Sequence, residues 1–204
     1  TGFARFKKKT ESENNKVVVK AGSRNIVNEA FRSLRTNLDF VVKGNNTNAI
    51  ALTSYNPGSG KSFISINLAI ALAIQNKKVL VIDADLRHAS TSQYVGAPKL
   101  GISDFLAGRI SNVNDVVVQD KAYNSLHILP VGTIPPNPSE LLSQDSFKTM
   151  IENFKKEFDY VIVDCPPIEI VTDTHIIEKS VDRTIFIIRA GLLERSMLGD
   201  LQNH

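Results

Sequence analysis

The chain has 204 residues, 42% of them hydrophobic and 22% charged, enough for one globular domain with a sizeable core. A formal net charge of +3 is too mild to imply a nucleic-acid partner, and no apolar run approaches the ~18 residues of a membrane span. The single cysteine, Cys165, excludes an internal disulfide and suits a reducing compartment.

Residues 1–24 are polar and basic. Arg5, Lys7, Lys8 and Lys9 fall within the first ten positions with no acid among them. The stretch reads as an arm or linker holding one short extended piece, KVVVK. The start at Thr1 and the lack of a signal-peptide pattern lead to the expectation that the chain is a piece of something longer. From Asn25 to about Val42, Val27, Phe31, Leu34 and Leu38 recur at helical spacing, which predicts an amphipathic helix ending near Gly44.

Beyond it, short apolar runs alternate with helical stretches. The runs are Ala49–Thr53, Val79–Asp83, Leu126–Val131, Tyr160–Asp164 and Thr184–Ile188. Being β-branched and non-alternating, they suit strands buried on both faces. Helices are predicted over Lys61–Gln75, parts of 103–118, Ser139–Phe158 and Asp173–Lys179, with Asn137 and Pro138 as cap and first turn of the third of these. The pattern predicts an α/β fold, with a mostly parallel sheet flanked by helices on both faces.

Two stretches carry chemistry. After the first strand, SYNPGSGKS contains Gly58, Ser59, Gly60, Lys61 and Ser62, the G-x-G-K-S core of a P-loop between strand and helix. The glycines let backbone N–H groups turn toward phosphate oxygens, and the helix N-terminus adds partial positive charge. Lys61 can reach β- and γ-phosphates, and the Ser62 hydroxyl can join a magnesium shell. Tyr55 stands where the outer glycine of the full motif would be. No Asn-Lys-x-Asp guanine-reading motif occurs, which points to ATP. The second stretch is the set of strand-end carboxylates: Asp83 and Asp85 in VLVIDADLRHAS, and Asp164 in YVIVDCPP. Ligands of parallel α/β sheets bind beyond the carboxyl ends of the strands. The three acids are therefore expected to converge beside the P-loop, where only a dication would relieve their repulsion. Read alone, Asp164 also fits a strand-end turn aspartate, and Cys165 a small filler. His88, His127 and His175 show no metal-ligand spacing.

Taken together, SYNPGSGKS, VLVIDADLRHAS and YVIVDCPP resemble the Walker A, A′ and B motifs of the bacterial tyrosine kinases (BY-kinases), a family of P-loop NTPases. NEAFRSLRTNL resembles that family's E-x-x-R-x-x-R helix, with Glu29, Arg32 and Arg35 in the pattern, and NPSELL and RAGLLERS fit as well. The resemblance covers about Asn28 to Arg195 and makes residues 25–204 the kinase domain. It implies an ATP- and Mg²⁺-dependent protein-tyrosine autokinase that regulates capsule or exopolysaccharide synthesis and export. Pro57, Gly58, Ser59, Gly60, Lys61, Ser62 and Phe63 would bind the nucleotide, and Ser62, Asp83 and Asp164 the metal. Lys61, Asp83 and Asp85 would be catalytic, with Asp85 placed to help deprotonate the tyrosine. Glu29, Arg32 and Arg35 would form the interface of a ring of copies, each taking a neighbour's tyrosine-rich tail. From residues alone, that trio reads as a solvated face with an i,i+3 ion pair. The resemblance also implies a transmembrane activator on the same polypeptide, a cognate tyrosine phosphatase, and a place on the cytoplasmic face of the bacterial inner membrane, which the basic RFKKK suits. The family's tyrosine cluster is absent: only Tyr55, Tyr94, Tyr123 and Tyr160 occur. The rival is a MinD/ParA-type ATPase that dimerises on a surface. Such proteins carry an extra loop lysine where this chain has Asn56. A third reading is a scaffold that binds ATP without turnover.

Overall fold

The computed structural model describes residues 17–42, 47–168 and 172–192. The basic start, Gly44 and the end of RAGLLERS lie outside them. Six strands form one sheet in the order β3-β4-β2-β5-β1-β6. They are β1 (Ala49–Thr53), β2 (Val79–Asp83), β3 (Val118–Gln119), β4 (Leu126–Leu129), β5 (Tyr160–Asp164) and β6 (Arg183–Phe186). Only the β3–β4 pair is antiparallel.

Every residue of β1, β2 and β5 is buried, because both faces of the sheet are covered and successive side chains point to opposite sides. Ile50, Val81 and Ile162 enter the layer shared with α1 (Ile26–Val42) and α2 (Lys61–Ala73). Ala51, Leu80 and Val163 enter the opposite layer. That layer is roofed by α3 (Ile102–Leu106), α4 (Pro138–Leu142), α5 (Asp145–Glu157) and α6 (Asp173–Glu178). Each of these side chains larger than alanine, taken fully from water, contributes about 1.5–3 kcal/mol. α2 is apolar nearly all round, as expected of a helix wedged between sheet and α1. Among the described residues, no helix is long and apolar enough to cross a membrane.

The predicted strands fall where expected, except that the third stops at Leu129 and the last at Phe186. The helix expected over Ser139–Phe158 is two. Gln144 adopts ψ 148°, which ends the first piece, and Asp145 opens the second, its charge favourable at a helix start. Asn137 sits at the cap position, but its amide donates to Glu140 rather than capping the backbone. Within 103–118 only Ile102–Leu106 is α-helical; Val118 belongs to β3. A two-residue edge strand is too short to leave a periodic signature.

The KVVVK piece is fastened to α2. The Asn67 side-chain oxygen accepts the amides of Val18 (2.8 Å) and Val19 (3.1 Å), and Val19 is buried. Asn28 on α1 accepts from the Lys20 amide and donates to the Val18 carbonyl.

The loop after β4 is clasped by buried Asp104, which accepts from the amides of Gly101 and Thr133 and the Thr133 hydroxyl, and pairs with Arg109 at 2.8 Å. Gly132 lies at φ 77°, and a Cβ there would come within 2.2 Å of the Gly101 nitrogen. Gly132→Ala is therefore expected to cost about 2 kcal/mol or more, combining left-handed backbone strain with overpacking. Urea denaturation reads this directly, and an unchanged midpoint would contradict it.

Candidate functional site

The P-loop runs from Ser54 to Gly60, between the carboxyl end of β1 and the first turn of α2. Gly58 (φ 71°) and Gly60 (φ 91°) both occupy the left-handed region that favours glycine. Tyr55 does not, since Asn76, Ala89 and Ala97 are the only non-glycine residues there among those described. Tyr55 thus replaces the outer glycine without strain. Two hydroxyls, Ser54 and Ser59, donate to the Asn56 carbonyl at 2.7 and 2.8 Å and hold the loop closed. Arg189, beyond β6, donates to the Gly58 carbonyl at 3.1 Å. Gly58, Gly60, Lys61, Ser62 and Phe63 line a cleft of about 330 Å³, together with Ile66, Ser90, Thr91 and Tyr94. Phe63 packs edge-on against Phe31. Pro57 is exposed and is not part of that lining. A larger groove of about 490 Å³, between α5 and residues 111–114, contains none of these residues.

The strand order puts β5 between β1 and β2, so Asp164 and Asp83 end neighbouring strands. They are also in register as a cross-strand pair, side by side next to the P-loop strand. Asp164 accepts from Ser65 at 3.2 Å and from Thr91 at 2.5 Å. Burial pushes its carboxyl up, against the pull of hydrogen bonds from Thr91 and Ser62 and of the Lys61 charge. Asp83 accepts through Oδ2 from both the amide and hydroxyl of Ser92, each at 2.7 Å. Burial, then the Asp164 charge, drive the Asp83 carboxyl up to about 8, despite the Ser92 hydrogen bonds. Its other oxygen, Oδ1, is buried with no hydrogen-bond partner. An orphaned carboxylate oxygen normally costs about 1–3 kcal/mol or more.

That orphan suits a cation. Mg²⁺ takes oxygen donors, keeps several waters, and needs only one or two carboxylates beside phosphate. Asp83, Asp164 and the Ser62 hydroxyl are such a donor set. Among the described residues, no group of three or more His, Cys, Asp or Glu side chains forms a metal cage, so phosphate and water would supply the remaining ligands.

Asp85 lies in the turn beyond the strand, close enough for its charge to add to the rise of the Asp83 carboxyl. It is 8% exposed and turned into its own turn, where Oδ1 accepts the amides of Arg87 and His88. Arg87 reaches away: its Nε meets Asp173 at 3.0 Å, and Ser139 donates to the same carboxylate at 2.5 Å. This ties the D-x-D-x-R stretch to the NPSELL helix and to α6. Asp173, Ser139, Thr91 and Ser92 were not singled out by sequence reasoning, because each acts through a partner at least nine residues away. On α1, Arg32 pairs with Glu29 at 2.6 Å, and Arg35 donates to the Ala71 carbonyl of α2 at 3.1 Å. Cys165 is fully buried and its thiol is pushed well up by that burial.

With this geometry in view, relatives can be set beside the chain. A family model described as AAA domain matches residues 47–193. The tyrosine-protein kinase CpsD of Streptococcus agalactiae is 37% identical over 171 residues, covering 82% of this chain and 72% of that protein. The tyrosine-protein kinase etk of Escherichia coli (strain K12) is 38% identical over 165 residues, covering 80% of this chain and 22% of etk. The chain thus spans less than a quarter of the length of the longer curated relatives it matches. Among solved structures, the kinase domain of Escherichia coli tyrosine kinase ETK aligns with a TM-score of 0.81 at 34% identity, over 86% of this chain and 68% of that one. The Pyrococcus furiosus cell division ATPase MinD aligns with a TM-score of 0.59 at 27% identity, over 69% and 58%. The P-loop fold and mostly parallel sheet are therefore shared with both. At this level of identity and coverage, the chain belongs to the bacterial tyrosine kinases, within the AAA-domain group of P-loop proteins.

Proposed function

We propose that this chain is the kinase domain of a protein-tyrosine autokinase, transferring the γ-phosphoryl group of ATP to tyrosines of a neighbouring copy. The observation that carries this is the in-register pair Asp83 and Asp164, the first with an orphaned buried oxygen and the second within the influence of Lys61 and Ser62. Phosphoryl transfer asks a protein mainly for positioning and charge stabilisation. Lys61 and the backbone amides of Gly58 to Phe63 hold the β- and γ-phosphates. Ser62, Asp83 and Asp164 would hold Mg²⁺, which when bound offsets charge on the transferring group. Asp85 orients the incoming phenol or helps take its proton.

The acceptor tyrosine comes from outside the described fold. The Tyr94 and Tyr160 hydroxyls are occupied as donors to Asp120 and Asp39, and burial raises both phenols above their ordinary range. A tyrosine-rich tail of a second copy fits that need. Glu29, Arg32 and Arg35 are the proposed contact between copies in a ring. A transmembrane activator on the same polypeptide, a cognate tyrosine phosphatase, a position on the cytoplasmic face of the inner membrane, and control of capsule or exopolysaccharide export complete the proposal. A MinD-like dimerising switch is disfavoured by Asn56, whose short amide cannot deliver a cationic charge to a partner's phosphate.

The test is incubation with γ-labelled ATP, Mg²⁺ and a tyrosine-bearing acceptor. Label on tyrosine is expected. Label only as free phosphate would point to the switch, and binding without either product to a scaffold.

A further inference from the structure

The turn that carries Asp85 needs holding from outside. β2 ends at Asp83, and Ala89, closing the turn, lies at φ 51°, in the left-handed region that a Cβ disfavours. Such a residue persists where its surroundings over-determine it. Within the turn, the Arg87 and His88 amides donate to Asp85 Oδ1 at 3.3 and 3.2 Å, and the Ala89 amide donates to the Asp85 carbonyl at 2.9 Å. Beyond the turn, the Arg87 guanidinium grips Asp173: Nε lies 3.0 Å from Oδ2 and Nη2 3.5 Å from Oδ1. Ser139 joins them, donating to Asp173 Oδ1 at 2.5 Å and accepting from Arg87 Nη2 at 3.4 Å. The Asp173 side chain is 1% exposed and that of Arg87 37%, so the anchor is inside and the reaching arm comes from the turn. The residue after the anchor is fastened too. The buried Thr174 hydroxyl donates to the Pro166 carbonyl at 2.9 Å, and that of Thr53, the last residue of β1, donates to the same oxygen at 2.8 Å. Asp173 is thus referred to the strand that feeds the P-loop, and through Arg87 it refers the Asp85 turn to that strand as well.

We propose that Asp173 is a positioning residue for phosphoryl transfer: with Arg87 as its arm, it fixes the Asp85 carboxylate relative to the phosphate cradle. This rests on the kinase reading above and names what sets the geometry of its acid. A forked guanidinium–carboxylate contact fixes direction as well as distance. That matters because a misplacement of about 1 Å in a reacting group costs about 10²-fold in rate. Asp173 touches neither nucleotide nor acceptor in this role, so its removal leaves ATP binding intact and acts on the transfer step.

The test uses the 204-residue chain with ATP, Mg²⁺ and a tyrosine-bearing acceptor peptide, and compares wild type, Asp173→Asn and the double variant Arg87→Gln/Asp173→Asn. The double variant leaves no buried charge without its partner, and it is the one to read if Asp173→Asn fails to fold. In both, kcat for tyrosine phosphorylation is expected to fall about 10–10²-fold, while a fluorescent ATP analogue binds as it does to wild type. Added to Asp85→Asn, the same changes should cost almost nothing more, because the group they position is already gone. Packing lost between α4 and α6 would instead cost the same in either background. Hydrogen exchange at the Arg87 and His88 amides should quicken in the double variant, while that of β2 stays as in wild type. A wild-type kcat in the double variant, an equal loss in the Asp85→Asn background, a loss that lies in ATP affinity, or unchanged exchange at those two amides overturns the assignment and leaves the kinase reading intact. If wild type itself labels no tyrosine, the kinase reading fails and this assignment with it.

Discussion

Lys61→Met is expected to lower tyrosine phosphorylation by about 10²–10³-fold or more, the usual loss when a preorganised positive group aimed at developing charge is removed. The native fold should survive. Lys61 is 9% exposed at the first position of α2, and methionine keeps most of its length and helix propensity. A second effect accompanies the first. The Lys61 charge is one of the influences restraining the upward drift of Asp164, so its loss should make that carboxyl harder to ionise and weaken metal binding too. Initial rates beside a circular-dichroism melt separate the outcomes. Full activity in the variant would remove Lys61 from phosphate binding.

Asp83→Asn should make the nucleotide-free protein more stable at neutral pH and less able to gain stability from Mg²⁺ and nucleotide. The folded Asp83 carboxyl titrates at about 8, against 3.8 when unperturbed. Between those values the folded state keeps a proton that the unfolded chain has released. Stability from this group is therefore lost progressively as pH rises from about 4 to about 8, with the full penalty above the upper value. The expected penalty is of the order of a few kcal/mol. Asparagine carries no charge, can still accept from Ser92, and can offer its amide toward Asp164. In EDTA, urea midpoints measured from pH 5 to 9 should fall more steeply for wild type than for the variant. Adding Mg²⁺ and nucleotide should then favour wild type, since a ligand stabilises only the state that binds it. Parallel pH curves would mean that the Asp83–Asp164 pair is not strained.

The elements most legible in the sequence were those that chain-local chemistry dictates. β1, β2 and β5 read correctly because burial on both faces demands uninterrupted aliphatic residues, and the P-loop read correctly because Gly58 and Gly60 must bend where they do. The pairing of Asp83 with Asp164 followed from a rule about parallel sheets rather than from spacing. Asp85 was expected to join them, because alternate residues of a strand share a face. The strand ends at Asp83, so Asp85 lies in the turn beyond it, yet its charge still acts on the Asp83 carboxyl. The Arg87–Asp173 pair spans 86 residues, and the Asp104 clasp depends on a loop 29 residues on. Neither leaves a periodic trace. The break at Gln144 was hidden because neither Ser143 nor Gln144 is a strong breaker; it shows only in the extended backbone of Gln144.

Asn67 gives the molecule a mechanical entry point. It lies on the helix that begins at Lys61, about 9 Å of axial rise from that residue, and it clamps the backbone of Val18 and Val19. Tension or restraint arriving through the polypeptide ahead of Val17 would therefore be delivered to the shaft whose tip cradles phosphate, rather than dissipated in a surface loop.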